Sequence, residues 1–164
     1  MICSSNFFLA SHAKADSCTS EIRIEGAIST ATLDFISRAL ERTSCGALLL
    51  NINTPGGSLQ TTRSIVEKIL AAKIPILCLV GPEGGHAGSA GALILLSCTV
   101  SGVLPGTNVG AATPIMGNGQ SLGKDLHSDL RTKVVEDTKS WAVSLAKMRG
   151  RSTEFAEKIV TVAK

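Results

Sequence analysis

Apolar positions along the chain change their period several times, and each change marks an element. In Glu21 to Ser29, EIRIEGAIS, Ile22 and Ile24 alternate with charged residues before the Ala27-Ile28 pair, which predicts a strand. From Thr30 to Thr43 the apolar residues Leu33, Ile36, Ala39 and Leu40 fall at helical spacing. Thr30 or Thr32 is expected to cap that helix, with Asp34 in its first turn and Gly46 marking its end. Ala47 to Ile52, ALLLNI, reads as an apolar strand of the kind buried on both faces in parallel or mixed α/β sheets. The turn Asn53 to Ser58, NTPGGS, leads into a helix over Leu59 to Lys73, whose apolar positions are Leu59, Ile65, Val66, Ile69 and Leu70. A second apolar strand, Ile74 to Val80, runs into Gly81 to Leu96, GPEGGHAGSAGALILL, where Ala90 to Leu96 reads as a buried helix.

Downstream, Thr99 to Leu104 predicts a short strand. The small-residue segment Pro105 to Ala112 is expected to pass close to the Ser89 turn. Gly117 to Lys124 reads as a polar loop, and Asp125 to Gly150 as a long helix with Val134, Trp141, Leu145 and Met148 on one face. Ser152 is expected to cap a last helix, Thr153 to Val160, with Glu154 in its first turn. Strand, turn and helix thus alternate, which predicts an α/β fold with a mixed, mostly parallel sheet.

The order matters for chemistry. Two Gly-rich turns follow two buried strands at the same end of each, and in open α/β sheets that end is where sites form. One turn carries Gly56-Gly57; the other carries Ser89 among Gly84, Gly85, Ala87, Gly88, Ala90, Gly91 and Ala92. A serine at a helix mouth has free backbone N–H groups beside it that can hold a developing negative charge. That is the setting of a nucleophilic serine. The competing reading is that Ser89 only caps the helix or fills space. For Gly56-Gly57 the alternatives are a tight turn and a phosphate cradle, but neither GxGxxG nor GxxxxGK[ST] is present.

Composition narrows the field. The 164 residues suit one domain with a real core, and 44% hydrophobic against 18% charged residues exclude a disordered chain. Aromatics are 3% with no Tyr, which argues against stacking platforms for single-stranded nucleic acid. The net charge of +3 comes from dispersed Lys and Arg, so nucleic acid is not an expected partner. The five cysteines, Cys3, Cys18, Cys45, Cys78 and Cys98, show no CxxC or zinc-ligand spacing, and their odd number predicts no disulfide framework. Cys78 and Cys98 read as small buried hydrophobes. No metal or cofactor is expected, and no apolar stretch is long enough to span a membrane. Residues 1–20 read as a tail or as the end of a secretory signal, because Phe7-Phe8-Leu9-Ala10 precedes Ala13-Lys14-Ala15. Residues 21–164 then form a single domain.

A nucleophilic serine needs a base. His12 lies in the tail, His86 is too close in the same turn for in-line proton transfer, and His127 reads as a solvated surface residue. A lysine desolvated in an apolar pocket is the other route. Lys133, flanked by Val134 and Val135, is the candidate; its alternative is an exposed lysine paired with Asp137 at i+4. Lys124 and Lys139 compete with it.

Together, strand–TPGG–helix, the Gly81 to Leu96 stretch, PGTNVGAATP, and KVVEDTKSWAVSLAKMRGRSTEFAEKIV from Lys133 resemble the serine–lysine membrane-associated proteases of the NfeD group. These are partners of stomatin-like proteins and relatives of signal peptide peptidase A and, more distantly, of the Clp protease proteolytic subunit. The resemblance covers about Glu21 to Val160. It implies a Clp/crotonase-like spiral of ββα units. It also implies Ser89 as nucleophile, Lys133 as general base, and an oxyanion hole from the Gly56-Gly57 backbone and the N–H of Ala90. The implied substrate is an apolar segment of a stomatin-like membrane protein, and the implied setting is exported or membrane-associated, with a homo-oligomeric chain. The sequence departs from the family pattern at Glu136, where Asn is expected beside Asp137. It also lacks the family's closing helix and strand, membrane helices and small β-barrel domain, which reads as a protease domain cut short. Three rivals stand beside this reading: a crotonase-type acyl-CoA enzyme with Glu83 in a comparable turn, an inactive protease-fold interaction domain, and a Clp-type triad with His127 as base.

Overall fold

The computed structural model of the chain describes residues 18–114 and 128–161, the side chains of 128–131 excepted. The alternating and apolar runs form the parallel strands β1 (Thr19–Glu25), β2 (Ala47–Asn53), β3 (Ile76–Val80) and β5 (Val100–Val103), in the spatial order β1-β2-β3-β5. The register sets Leu50 between Ile22 and Cys78. Parallel neighbours need crossovers, and the helices α1 (Thr30–Arg42), α2 (Leu59–Ala71) and α3 (Ala90–Ser97) supply them. Leu48, Leu50 and Ile52 share one core with Ile36 of α1, Ile65 and Ile69 of α2 and all of α3's apolar residues. The intervening Leu49, Asn51, Leu77 and Leu79 are only half-buried. One sheet face therefore carries the core, and the expected burial on both faces is incomplete.

After each strand the chain bends and lays down a short extended piece in a second layer. These pieces are Ile28, which bridges to Gly57; Thr54, which bridges to Ala87; β4 (His86–Gly88); and β6 (Asn108–Gly110), parallel to β4. Strand, short strand, helix is thus repeated along the chain, and every pairing among the described residues is parallel. This is the expected ββα spiral. β4 and β6 are additions to the sequence reading: three residues each, and rich in Gly and Ala, they show no period.

Helix α4 (Ser128–Met148) and helix α5 (Thr153–Thr161) close the domain. Thr138, Ala142, Leu145 and Ala146 face inward, whereas Met148, expected on the apolar face, is 59% exposed near the helix end. Ser152 caps α5 as expected, accepting from the Phe155 N–H at 3.1 Å. For α1 the cap is Ser29, one residue before the expected Thr30, and Thr32 returns a bond to the Ser29 N–H at 3.2 Å. Asp34 lies beyond the first turn and pairs with Arg38 at 2.6 Å. Arg149 and Arg151, in the turn between α4 and α5, reach the end of α3. Arg149 Nε donates to Ser97 O at 2.8 Å, Arg151 Nη2 to Cys98 O at 2.7 Å, and Arg151 Nη1 to Leu96 O. Two cations therefore satisfy the carbonyls at the negative end of the helix that begins beside Ser89.

The cysteine reading is corrected. Cys18 is bonded to Cys45 and Cys78 to Cys98, with Cα–Cα distances of 5.0 and 6.0 Å. The first ties the start of β1 to the start of β2. The second ties β3 to the end of α3, where the parallel register brings two buried apolar segments side by side. The odd cysteine, Cys3, lies outside the described residues, as do the predicted loop Gly117–Lys124 and the histidines His12 and His127. No described helix is long and apolar enough to cross a membrane.

Candidate active site

Ser89 sits where β4 ends and α3 begins. Its backbone has φ +47° and ψ −110°, a conformation that a residue with a Cβ rarely adopts. An ordinary helix N-cap is extended and its side chain bonds a following N–H. Ser89 does neither: its side chain makes no cap bond. The backbone is instead held by its own bonds, with Ser89 N–H donating to Gly110 O at 2.8 Å and Ser89 O accepting from Ala92 N–H at 3.1 Å. The small-residue segment does pass beside the serine turn, and β6 is the reason. Such a strained strand-to-helix corner projects a hydroxyl free of the helix it opens.

The Gly56-Gly57 turn packs directly on this corner. A Cβ at Gly56 would stand 2.5 Å from Ser89 Cβ and 3.2 Å from its Oγ, and Gly56 has φ +115°. Only glycine meets both demands. A Cβ at Gly57 would overlap the Ile28 carbonyl. Among the described residues no backbone acceptor takes the N–H of Gly57 or of Ala90. Two donors, one from each Gly-rich turn, are therefore available beside one hydroxyl. The structure brings Ser89, Gly56, Gly57 and Ala90 together.

Thr54 locks the two turns and was missed as a functional position, because nothing in TPGG shows where its hydroxyl goes. It is fully buried. Its Oγ1 donates to Gly26 O at 2.6 Å and accepts from Gly56 N–H at 3.1 Å. Its backbone donates to His86 O at 2.7 Å and accepts from Gly88 N–H at 2.9 Å. Its methyl lies against Gly91 of α3, where a Cβ would approach to 2.6 Å.

Lys133 lies in the second turn of α4 and is exposed. The apolar pocket expected around it is not formed by the described residues, and no bond joins it to Ser89 or to any other described residue. The expected alternative also fails, because Asp137 pairs with Arg63 of α2. Lys139 is no competitor. Its amine bonds Glu136 at 2.5 Å and faces Glu157 at 3.8 Å, and the Glu136 hydrogen bond holds it protonated above the ordinary lysine range, against a smaller opposing effect of burial. His86 Nδ1 lies 3.5 Å from Asn108 Nδ2. Glu83 is exposed. No cluster among the described residues has the makings of a metal site.

A ββα spiral with a strained serine between two Gly-rich turns places the chain in the Clp-like fold class of serine hydrolase scaffolds. More narrowly, the chain belongs to the family described as NfeD1b, N-terminal domain, whose model matches residues 19–161. It is 32% identical over 157 residues to a membrane-bound protease of Pyrococcus horikoshii, covering 94% of this chain and 35% of that protein. It is 30% identical over 110 residues to membrane protein NfeD1b of Bacillus subtilis, covering 65% of this chain and 24% of that one. The chain thus spans about a third or less of the curated relatives it matches. Two solved structures of a membrane-bound stomatin-specific protease superpose well. A serine-to-alanine mutant gives a TM-score of 0.81 at 29% identity, covering 92% of this chain and 72% of that one. A lysine-to-alanine mutant in complex with a substrate peptide gives 0.80 at 28% identity, covering 92% and 68%.

Proposed function

We propose that this domain is a serine endopeptidase that works through a Ser89–Lys133 dyad and cleaves apolar segments of stomatin-like membrane proteins. The observation that carries the reading is the Ser89 corner, a hydroxyl on strained backbone with no capping bond and with the Gly57 and Ala90 N–H groups free beside it. In the proposed step the uncharged Lys133 amine takes the Ser89 proton while Oγ attacks the peptide carbonyl. The Gly57 and Ala90 N–H groups, in the turn shaped by Gly56, hold the oxyanion; one such donor is worth about 3–4 kcal/mol. The lysine passes its proton to the leaving amine, and water then releases the acyl-enzyme. An apolar peptide lying across the Ser89 turn and α4 excludes water from the exposed Lys133, so that desolvation of the base comes with the substrate. The dyad needs no metal or cofactor.

The stomatin specificity and membrane association of the named relatives support the substrate class. The disulfides support an exported or membrane-associated setting on the extracytoplasmic side, because such bonds persist in oxidising compartments. A homo-oligomer, dimer or larger, belongs to the same reading. One observation favours a second reading, a peptide-binding domain without activity: the exposure of Lys133. The test is cleavage of an apolar peptide from a stomatin-like protein by the wild type, Ser89→Ala and Lys133→Ala, with fluorophosphonate labelling of Ser89. Cleavage lost in both variants supports the dyad. Binding without cleavage or labelling establishes the second reading instead.

A further inference from the structure

The dyad leaves one side chain at the serine turn without a role, the imidazole of His86. On the inner side of the turn, Thr54 and Ala87 meet α3 at Gly91, where a Cβ would stand 2.6 Å from the Thr54 methyl and 3.4 Å from Ala87 Cβ. Side chains alternate along a strand, so His86 and Gly88 of β4 face the other way. A Cβ at Gly88 would overlap His86 Nε2 and stand 2.7 Å from its Cδ2. The imidazole thus fills the place of the side chain that residue 88 lacks. The Pro55 carbonyl oxygen borders the same place, 2.9 Å from that Cβ position. Asn108 is opposite His86 in the β4–β6 register, and its Nδ2 lies 3.5 Å from Nδ1. The ring therefore stands among three segments: the Gly56-Gly57 turn, the serine turn and β6.

Strained backbone persists only where its surroundings hold it. Ser89, at φ +47° and ψ −110°, follows a glycine, which sets few steric limits of its own on the chain. Gly88 is therefore where the Ser89 strain would relax. Two backbone bonds hold the step, Gly88 N–H to Thr54 O at 2.9 Å and Ser89 N–H to Gly110 O at 2.8 Å. The His86 ring adds a contact on the outer face of Gly88, which neither bond covers. The other bonds of His86 belong to its backbone: its N–H donates to Asn53 Oδ1 at 3.2 Å, and its carbonyl accepts from Thr54 N–H at 2.7 Å. Any residue at 86 can keep them, so β4 stays in place without the ring. Among the described residues the ring's one hydrogen-bond partner is Asn108, not Ser89, so the ring is not the base.

We propose that His86 is a positioning residue for the nucleophile: its ring stands in for the missing side chain of Gly88 and holds the Gly88–Ser89 step against the Pro55-Gly56 turn. Thr54 locks the same two turns from the inner side, and His86 closes them from the outer side. The consequence for catalysis rests on the serine endopeptidase reading; the contact with Gly88 does not.

Removing the ring lets the strained step open more often, so the amides of Gly88 and Ser89 should exchange about tenfold faster. The hydroxyl and the Gly57 and Ala90 N–H groups then share their reacting geometry less often. Labelling of Ser89 and kcat should fall about tenfold or more. The KM for an apolar peptide should hold, because the ring acts on the reacting centre and not on uniform binding. Loss of the long Asn108 contact loosens the ring without removing it, and should give changes of about two- to fivefold in the same directions.

The experiment compares the wild type with His86→Ala, His86→Gln and Asn108→Ala. Amide exchange of Gly88 and Ser89 is read by NMR and needs no activity; fluorophosphonate labelling and peptide cleavage report the site. His86→Ala should speed exchange at Gly88 and Ser89 while Leu48 to Ile52 of β2 exchange as in the wild type, and should lower labelling and kcat at constant KM. His86→Gln, which keeps a planar polar group over Gly88, should recover most of the labelling. Exchange at the wild-type rate in His86→Ala overturns the proposal, as does labelling at the wild-type rate where the wild type is active. If His86→Ala loosens β2 as well, Asn108→Ala decides, because Asn108 is exposed and its loss spares the core; wild-type exchange there overturns the proposal. A wild type that neither cleaves nor labels removes the endopeptidase reading instead, and exchange alone then decides the role of His86.

Discussion

Thr54→Val is the sharpest probe of how the two Gly-rich turns are held. Valine keeps the shape and the methyl against Gly91 but removes the hydroxyl. The hydroxyl proton's donation to Gly26 O at 2.6 Å, shared with a longer contact to Gly56 O at 3.3 Å, is lost, and so is the acceptance from Gly56 N–H at 3.1 Å. Gly26 is exposed, so water replaces the first bond at a net cost of about 0.5–1.5 kcal/mol. Gly56 is buried, so its N–H is left without a partner, which costs about 1–3 kcal/mol. The sum is about 2–4 kcal/mol, or about 5–15 °C in Tm for a domain of this size. Thr54→Ser is the matched control. It keeps the hydroxyl and loses one methyl, about 1 kcal/mol. Urea denaturation gives the two energies. Fluorophosphonate labelling of Ser89 gives the effect on the site, which should fall about tenfold or more in the Val variant, since a 1 Å displacement at a reacting centre can cost 10²-fold. A Val variant within 0.5 kcal/mol of wild type on denaturation would refute the reasoning. So would a Ser variant that is the less stable of the two.

The remaining predictions follow from single contacts. Gly56→Ala puts a Cβ 2.5 Å from Ser89 Cβ at φ +115°, so it should abolish labelling of Ser89 and cost about 1–3 kcal/mol or more in a thermal melt. Arg151→Ala removes the bonds to Leu96 O, Cys98 O and Ser101 Oγ and should lower stability by about 2–3 kcal/mol in urea, with Arg151→Lys recovering less than half because an ammonium cannot reproduce the fork. Cys18→Ser opens a disulfide with a sequence separation of 27 and should cost about 3–4 kcal/mol by loop entropy; mass spectrometry of the unreduced wild type should find neither of its cysteines alkylated. For Lys139 the folded value is raised above the ordinary 10.5, chiefly by the Glu136 hydrogen bond, so its contribution is complete below that pH and is lost as pH rises through the raised value. Lys139→Gln should therefore destabilise at pH 8 and converge on the wild type in strong alkali, measured by denaturation at both pH values.

What could be read in the sequence was local. The period of Leu33, Ile36, Ala39 and Leu40 depends on a helix's own geometry, and Gly56 depends on a backbone that glycine alone accepts readily; both were legible. β4 and β6 were not, because three-residue strands acquire their identity from neighbours: His86–Gly88 is a strand because Asn108–Gly110 lies parallel to it on one side and Thr54 bridges to Ala87 on the other. The Cys78–Cys98 bond was missed for a related reason. Each cysteine sits in an apolar run, and only the β3–β5 register shows that the runs meet. Thr54 looked like turn chemistry, yet its hydroxyl bridges to Gly26, 28 residues away in sequence.

Lys133 combines both cases. Its place on a helix face was legible, and its i+4 spacing to Asp137 suggested a pair. The pair does not form, because α2 delivers Arg63 to the same carboxylate. Local spacing thus names the groups that can interact, and tertiary packing selects among them. Helix α2 shows the same selection at both ends: Gly56, just before its start, packs on the Ser89 corner, and Arg63, in its second turn, holds Asp137 of α4. A variant that unseats this helix should therefore lose labelling of Ser89 and the α2–α4 ion pair together.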